Sequence, residues 1–132
     1  MSRAQQYSQA GIPARWLEAT EARHAYDHAQ QYGHPQRYGL NERSVASIHH
    51  LTIASRAMAK AWLADRFPCN GTVQVVYGKA EVAVVETAVF LERWQEMFMP
   101  GRDDAIVLHN PSAAVLFYCH EDELEVGERR DR

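Results

Sequence analysis

The sequence predicts an α+β domain in which two N-terminal helices lead into a ββαββ half with a small, mainly antiparallel sheet. Three observations carry this. Apolar residues recur at helical spacing up to about residue 66, short valine-rich blocks follow from residue 72, and one strongly amphipathic segment separates those blocks at residues 87–98.

Residues 1–11 are rich in Gln and Ser without periodicity, so they read as a flexible arm. Pro13 suits the first turn of a helix, and Ala19, Ala22, Tyr26 and Ala29 continue it at helical spacing, with Trp16 nearby. Gly33 stops it, and the turn residues of 33–39 make a loop. Asn41 or Ser44 can cap a second helix running to about Arg66, with Ile48, Leu51, Ser55, Met58 and Trp62 in one stripe. Pro68 and Asn70-Gly71 end it.

Val73, Val75 and Tyr77 alternate with Thr72, Gln74 and Val76 as a strand, and Gly78-Lys79 turns the chain into a valine-dense return over 81–86. Thr87 is a helix cap, and Phe90, Leu91, Trp94, Met97 and Phe98 gather on one face behind it. Pro100-Gly101 closes that helix, and 105–109 and 113–120 form a hairpin around Asn110-Pro111-Ser112. The charged residues 124–132 read as a frayed tail, which leaves 12–123 as the single domain. The alternative for 80–99 is one long helix, which leaves three strands.

Length and composition narrow the function classes. A chain of 132 residues with 46% hydrophobic and 23% charged residues is an ordinary globular composition. No apolar run reaches the ~18 residues of a membrane helix, and the polar N-terminus has no signal-peptide core. The expectation is a cytoplasmic protein whose two cysteines, Cys69 and Cys119, are free thiols. Residues 1–66 carry eight Arg or Lys against five Asp or Glu, and residues 67–132 carry six against twelve. The acidic second half argues against nucleic acid as partner and suits a basic protein surface.

The candidate chemistry is sparse. Glu21, His24 and His28 share one ridge of the first helix and are the candidate metal ligands. Their Glu-x-x-His is not repeated as a two-metal bundle requires, and Asp27 and Gln31 mark an ordinary wet face. His49 and His50 point about 100° apart on a helix and share no ligand. Cys69, His109 and Asn110 follow the order of a thiol nucleophile, its base and an orienting amide, although Cys69 follows a helix and so lacks the field of a helix N-terminus. The cluster Cys119-His120-Glu121-Asp122-Glu123 is the densest polar stretch. No phosphate loop, Ser-His-Asp pattern, Cys-x-x-Cys or cofactor motif occurs.

These observations select a small protein-binding module, of the inhibitor, immunity-protein, adaptor or chaperone kind, acting through a charge-polarised surface. Arg37, Tyr38, Glu121, Asp122 and Glu123 are its contact residues, since Tyr and Arg anchor interfaces. The alternative is a hydrolase-like or metal-dependent enzyme using Cys69, His109 and His120. A third reading is a nucleic-acid binder using Arg15, Arg23, Arg37, Arg43 and Arg56. A homodimer is the expected assembly.

Overall fold

The computed structural model describes residues 1–131. It has four α-helices and one open, antiparallel sheet of seven strands, so the α+β class holds while the element order differs from the expectation.

Residues 3–10, expected to be part of a flexible arm, form helix α1 (Arg3–Ala10). Ser2 Oγ accepts from Gln5 N, and Gln5 Oε1 accepts from Ser2 N, a reciprocal cap that satisfies two otherwise orphan amides. Tyr7 anchors the helix by burial. Arg15–Trp16 is a two-residue strand, β1, so α2 begins only at Ala19 (Ala19–Ala29), continuing through a 3-10 turn at Gln30–Tyr32. Its buried face is Ala22, Ala25 and Ala29.

The expected second helix divides into strand β2 (Val45–Thr52) and helix α3 (Arg56–Arg66). Ser55 is the cap of α3 rather than part of a stripe, its Oγ accepting from Met58 N. A register shift between Ala46 and His49 marks a bulge in β2, where Ser47 has a φ of 55°. Val45 and Ile48 therefore fall on one face at a spacing of three, while Leu51 and Ile53 pack on the other. That spacing imitates a helix.

Strands β3 (Thr72–Gly78) and β4 (Glu81–Glu86), helix α4 (Thr87–Met97), and strands β5 (Ala105–His109) and β6 (Ala114–Cys119) follow the sequence expectation. The long-helix alternative for 80–99 is thereby ruled out. Thr87 opens α4 as a buried residue without a side-chain cap bond, Glu86 being the capping position. Residues 124–129, part of the tail expected to fray, belong to strand β7 (Glu123–Arg129).

The strand order is β1-β4-β3-β5-β6-β7-β2. Helices α1, α3 and α4 cover one face, where Leu63, Phe90 and Trp94 pack on Val73, Val75, Val107, Leu116 and Leu124. Helix α2 and the segment after it cover part of the other, where Tyr32 and Leu40 meet Val76, Ile106, Leu108 and Val115. Gly127 lets β2 cross β7 closely, since a Cβ there would lie 2.5 Å from Val45 Cγ1 and 2.8 Å from the Ala46 carbonyl oxygen.

Candidate functional site

The helix-poor face of the sheet is only partly roofed. Between the segment 33–41 and the strands lies an open cleft of about 780 Å3. Val76, Ile106 and Phe117 line it from β3, β5 and β6, and Tyr26 and Gln30 line it from α2 and its 3-10 extension. Tyr38 and Asp104 belong to the same lining.

The roof is tied to the sheet at one carboxylate. Glu125 on β7 has only 10% of its side chain exposed. Its Oε1 accepts from Leu40 N at 2.8 Å, and its Oε2 accepts from Arg37 Nη1 at 3.1 Å. Arg37 also donates to the Leu40 carbonyl at 3.1 Å, and His50 Nδ1 lies 3.1 Å from Glu125 Oε2. A single buried acceptor thus answers a backbone amide and a guanidinium of the roof, a charge-assisted arrangement.

Gly39 makes the approach possible, because a Cβ there would lie 2.0 Å from Arg37 Nη1 and 2.7 Å from Glu125 Oε1. Gly39→Ala is expected to part Arg37 from Glu125, costing about 1.5–3 kcal/mol as a charged hydrogen bond is lost. Denaturant unfolding checks the loss, and faster amide exchange confined to 33–41 checks its location.

At the mouth of the cleft the hairpin β5–β6 ends in a second cluster. The pairing of Ala105 with Tyr118 sets the residues before β5 beside those after β6. His120 N donates to Asp104 Oδ1 at 3.0 Å, and His120 Nδ1 lies 2.9 Å from the same oxygen. That hydrogen bond holds the His120 imidazole above the ordinary histidine pKa. Tyr38, with 59% of its surface exposed, stands edge-on to the His120 ring at 4.7 Å between centroids. Glu121 is exposed beside them and Glu123 is half-buried, 3.7 Å from His50 Nε2.

Cys119 is buried at this end. Burial raises its thiol pKa, and Glu123, Glu121 and Asp104 raise it further, against a backbone hydrogen bond from Glu121 that lowers it. Burial first, and the acidic neighbours after it, disfavour the thiolate, which makes Cys119 a poor nucleophile.

The structure separates the other residues singled out from the sequence. His109 is fully buried, with Nδ1 2.6 Å from Ser112 Oγ. Its Nε2 is 2.7 Å from the Asn70 carbonyl, which can only accept, so Nε2 is the donor. Phe67 packs against its ring. Cys69 is exposed next to Asn70. His109 and His120 lie at opposite ends of the β5–β6 hairpin, roughly 15–20 Å apart at about 3.4 Å per residue. Cys69, His109 and His120 therefore do not form one site, and His109 is a structural pin.

Glu21, His24 and His28 are all exposed on α2, and among the described residues they are in no group of three donor atoms within 4.8 Å of one another. His28 is engaged with Gln31 Nε2 at 3.0 Å. Of the expected contact residues, Tyr38 lies against His120, Glu121 and Glu123 gather around Cys119, and Arg37 turns to Glu125. Asp122 is a structural corner, with a φ of 60°, its Oδ1 accepting from Tyr118 at 2.8 Å and its carbonyl from Ile53 N at 3.1 Å.

Sequence reasoning missed Asp104 and Glu125. Alternation around Leu124 and Val126 would have found the strand carrying Glu125, whereas Asp104 meets His120 only through the hairpin register. Among the described residues no helix is long and apolar enough to cross a membrane. Comparison of the chain with protein-family models, curated proteins and solved structures finds no match.

Proposed function

We propose that the chain is a small protein-binding module that takes a basic segment of a partner protein across the mouth of the cleft. The observation that carries this is the group itself: exposed Tyr38 stands edge-on to His120, whose ring is bonded to the Asp104 carboxylate and whose chain neighbour is the exposed Glu121. A guanidinium or ammonium group can sit on the ring face while pairing with those carboxylates. The apolar residues Val76, Ile106 and Phe117 offer burial to the neighbouring side chain of the same segment.

The polar rim around an apolar floor is the anatomy of a standard interface. Tying Arg37 and Leu40 to Glu125 keeps the roof in place before a partner arrives, which lowers the ordering cost of binding.

Tyr38→Ala and Glu121→Lys test the rim, because both side chains are exposed and their loss leaves the core intact. Capture of the partner by the tagged chain is expected at low salt and to fall at high salt. Tyr38→Ala is expected to lower affinity by about 2 kcal/mol, roughly thirtyfold, with a comparable loss for Glu121→Lys. Arg23→Ala, on the exposed face of α2 and paired with Asp27, is expected to capture as the unaltered chain does. Equal capture by all three variants would overturn the reading.

A further inference from the structure

We infer that Asp104, Cys119 and His120 form a binding site for a zinc-class divalent cation at the end of the β5–β6 hairpin. One ligand atom from each, a carboxylate oxygen, a thiol sulfur and an imidazole nitrogen, all lie within 4.8 Å of one another. A tetrahedral ion with bonds of about 2.0–2.3 Å needs donors about 3.3–3.8 Å apart, so small side-chain adjustments bring the three onto one ion. Cys119, Glu121 and Glu123 make a second such group around the same sulfur. The fourth coordination position falls to one of these glutamates or to water.

The local fold prepares these donors. Asp104 and His120 are joined across the two strand ends by a backbone and a side-chain hydrogen bond to one oxygen, at 3.0 and 2.9 Å. The His120 carbonyl is held by Gly101 N at 2.7 Å, and Asp122 turns the chain sharply enough to bring Glu123 back past Cys119. Tyr38 against the His120 ring limits its rotation, the part that outer-shell groups play at metal sites. The donor set also selects the ion: sulfur and imidazole favour zinc, cobalt and their neighbours, whereas magnesium and calcium take oxygen ligands.

The inference does not rest on partner capture, and because an ion held here takes the Asp104 carboxylate from a partner's cation, its test uses the isolated chain. The protein is stripped with a chelator and titrated with cobalt(II), then with zinc(II) as competitor, under reducing conditions. One equivalent of cobalt is expected to bind and to produce a sulfur-to-cobalt charge-transfer band in the near ultraviolet, which zinc abolishes. Cys69→Ser is expected to leave that band unchanged and Cys119→Ser to remove it. Asp104→Asn and His120→Gln alter side chains at the surface, so they serve even where Cys119→Ser does not fold. Each is expected to weaken binding by at least the roughly 10–100-fold that loss of an outer-shell partner costs. No stoichiometric uptake, a band that follows Cys69, or unchanged affinity in both Asp104→Asn and His120→Gln would overturn the site. Failure of the titration with capture still dependent on Tyr38 and Glu121 would leave the docking reading standing.

Discussion

A chain ending at Asp122 is expected to have no cooperative fold. Strand β7 lies second from the sheet edge, paired along its length with β6 on one side and β2 on the other. Its removal takes away Leu124 and Val126, exposed by 0% and 4%. Burial of each is worth about 1.5–3 kcal/mol. Among the described residues it also strips β2 of its one partner strand and frees the edge of β6. Each net ladder hydrogen bond lost costs about 0.5–1.5 kcal/mol.

Two further ties go with it. Arg129 is buried and its Nη2 donates to the His109 carbonyl at 2.7 Å, and Glu125 no longer anchors the roof. The sum reaches the whole stability of a domain, about 5–15 kcal/mol. Far-ultraviolet circular dichroism through a thermal melt reads the result directly. A retained cooperative transition would mean that β2 and β7 fold as a dispensable appendage.

Physical reasons separate the parts of the fold that the sequence betrays from the parts it hides. Strands β3, β5 and β6 announce themselves as valine-rich or apolar blocks bounded by Gly78-Lys79 and Asn110-Pro111-Ser112. The sequence of 80–99, in contrast, also admits one long helix, which the structure divides into β4 and α4. Strand β2 conceals itself behind a bulge at Ser47, which spaces Val45 and Ile48 by three. The β-branched residues Val45, Ile48 and Thr52 were the surviving hint.

In β7, alternation of Leu124 and Val126 is masked by charge, and Glu125 and Arg129 are buried only because distant residues answer them. Helix α1 carries a legible cap in Ser2 and Gln5, yet its amphipathic signal is one tyrosine. At the site, Tyr38, His120 and Glu121 were recognisable one by one. Their meeting with Asp104 depends on hairpin register, which no local pattern states.

Asp103→Ala is expected to cost roughly 3 kcal/mol, the lower end for breaking a buried ion pair. The carboxylate is fully buried and accepts from Arg3 Nη1 at 2.7 Å, from Arg102 Nε at 2.8 Å and from Met99 N at 2.8 Å. Its loss strands no charge in the core, since Arg3 and Arg102 keep 19% and 37% of their side chains exposed and can turn to water. It does leave the Met99 amide unmatched and removes one tie of α1, whose Arg3 keeps its pair with Glu81 and its place 4.2 Å over the Tyr77 ring.

Burial alone would raise the Asp103 pKa, but hydrogen bonds from Arg102, the Met99 amide and Arg3 outweigh it and hold the carboxyl below the ordinary aspartate value. A depressed folded-state pKa means the stabilisation is complete above the unfolded-state value of about 3.9 and is lost as pH falls through the folded one. Melting temperatures measured from neutral pH down to about pH 2 are therefore expected to converge for Asp103→Ala and the unaltered chain at the acid end, and to differ most near neutrality. Parallel curves would place the cost in packing rather than in the ion pair. Coincident curves would mean that the buried Tyr7 and Ile12, with the Arg3–Glu81 pair and the Arg93 bond to the Ala10 carbonyl, hold α1 without Asp103.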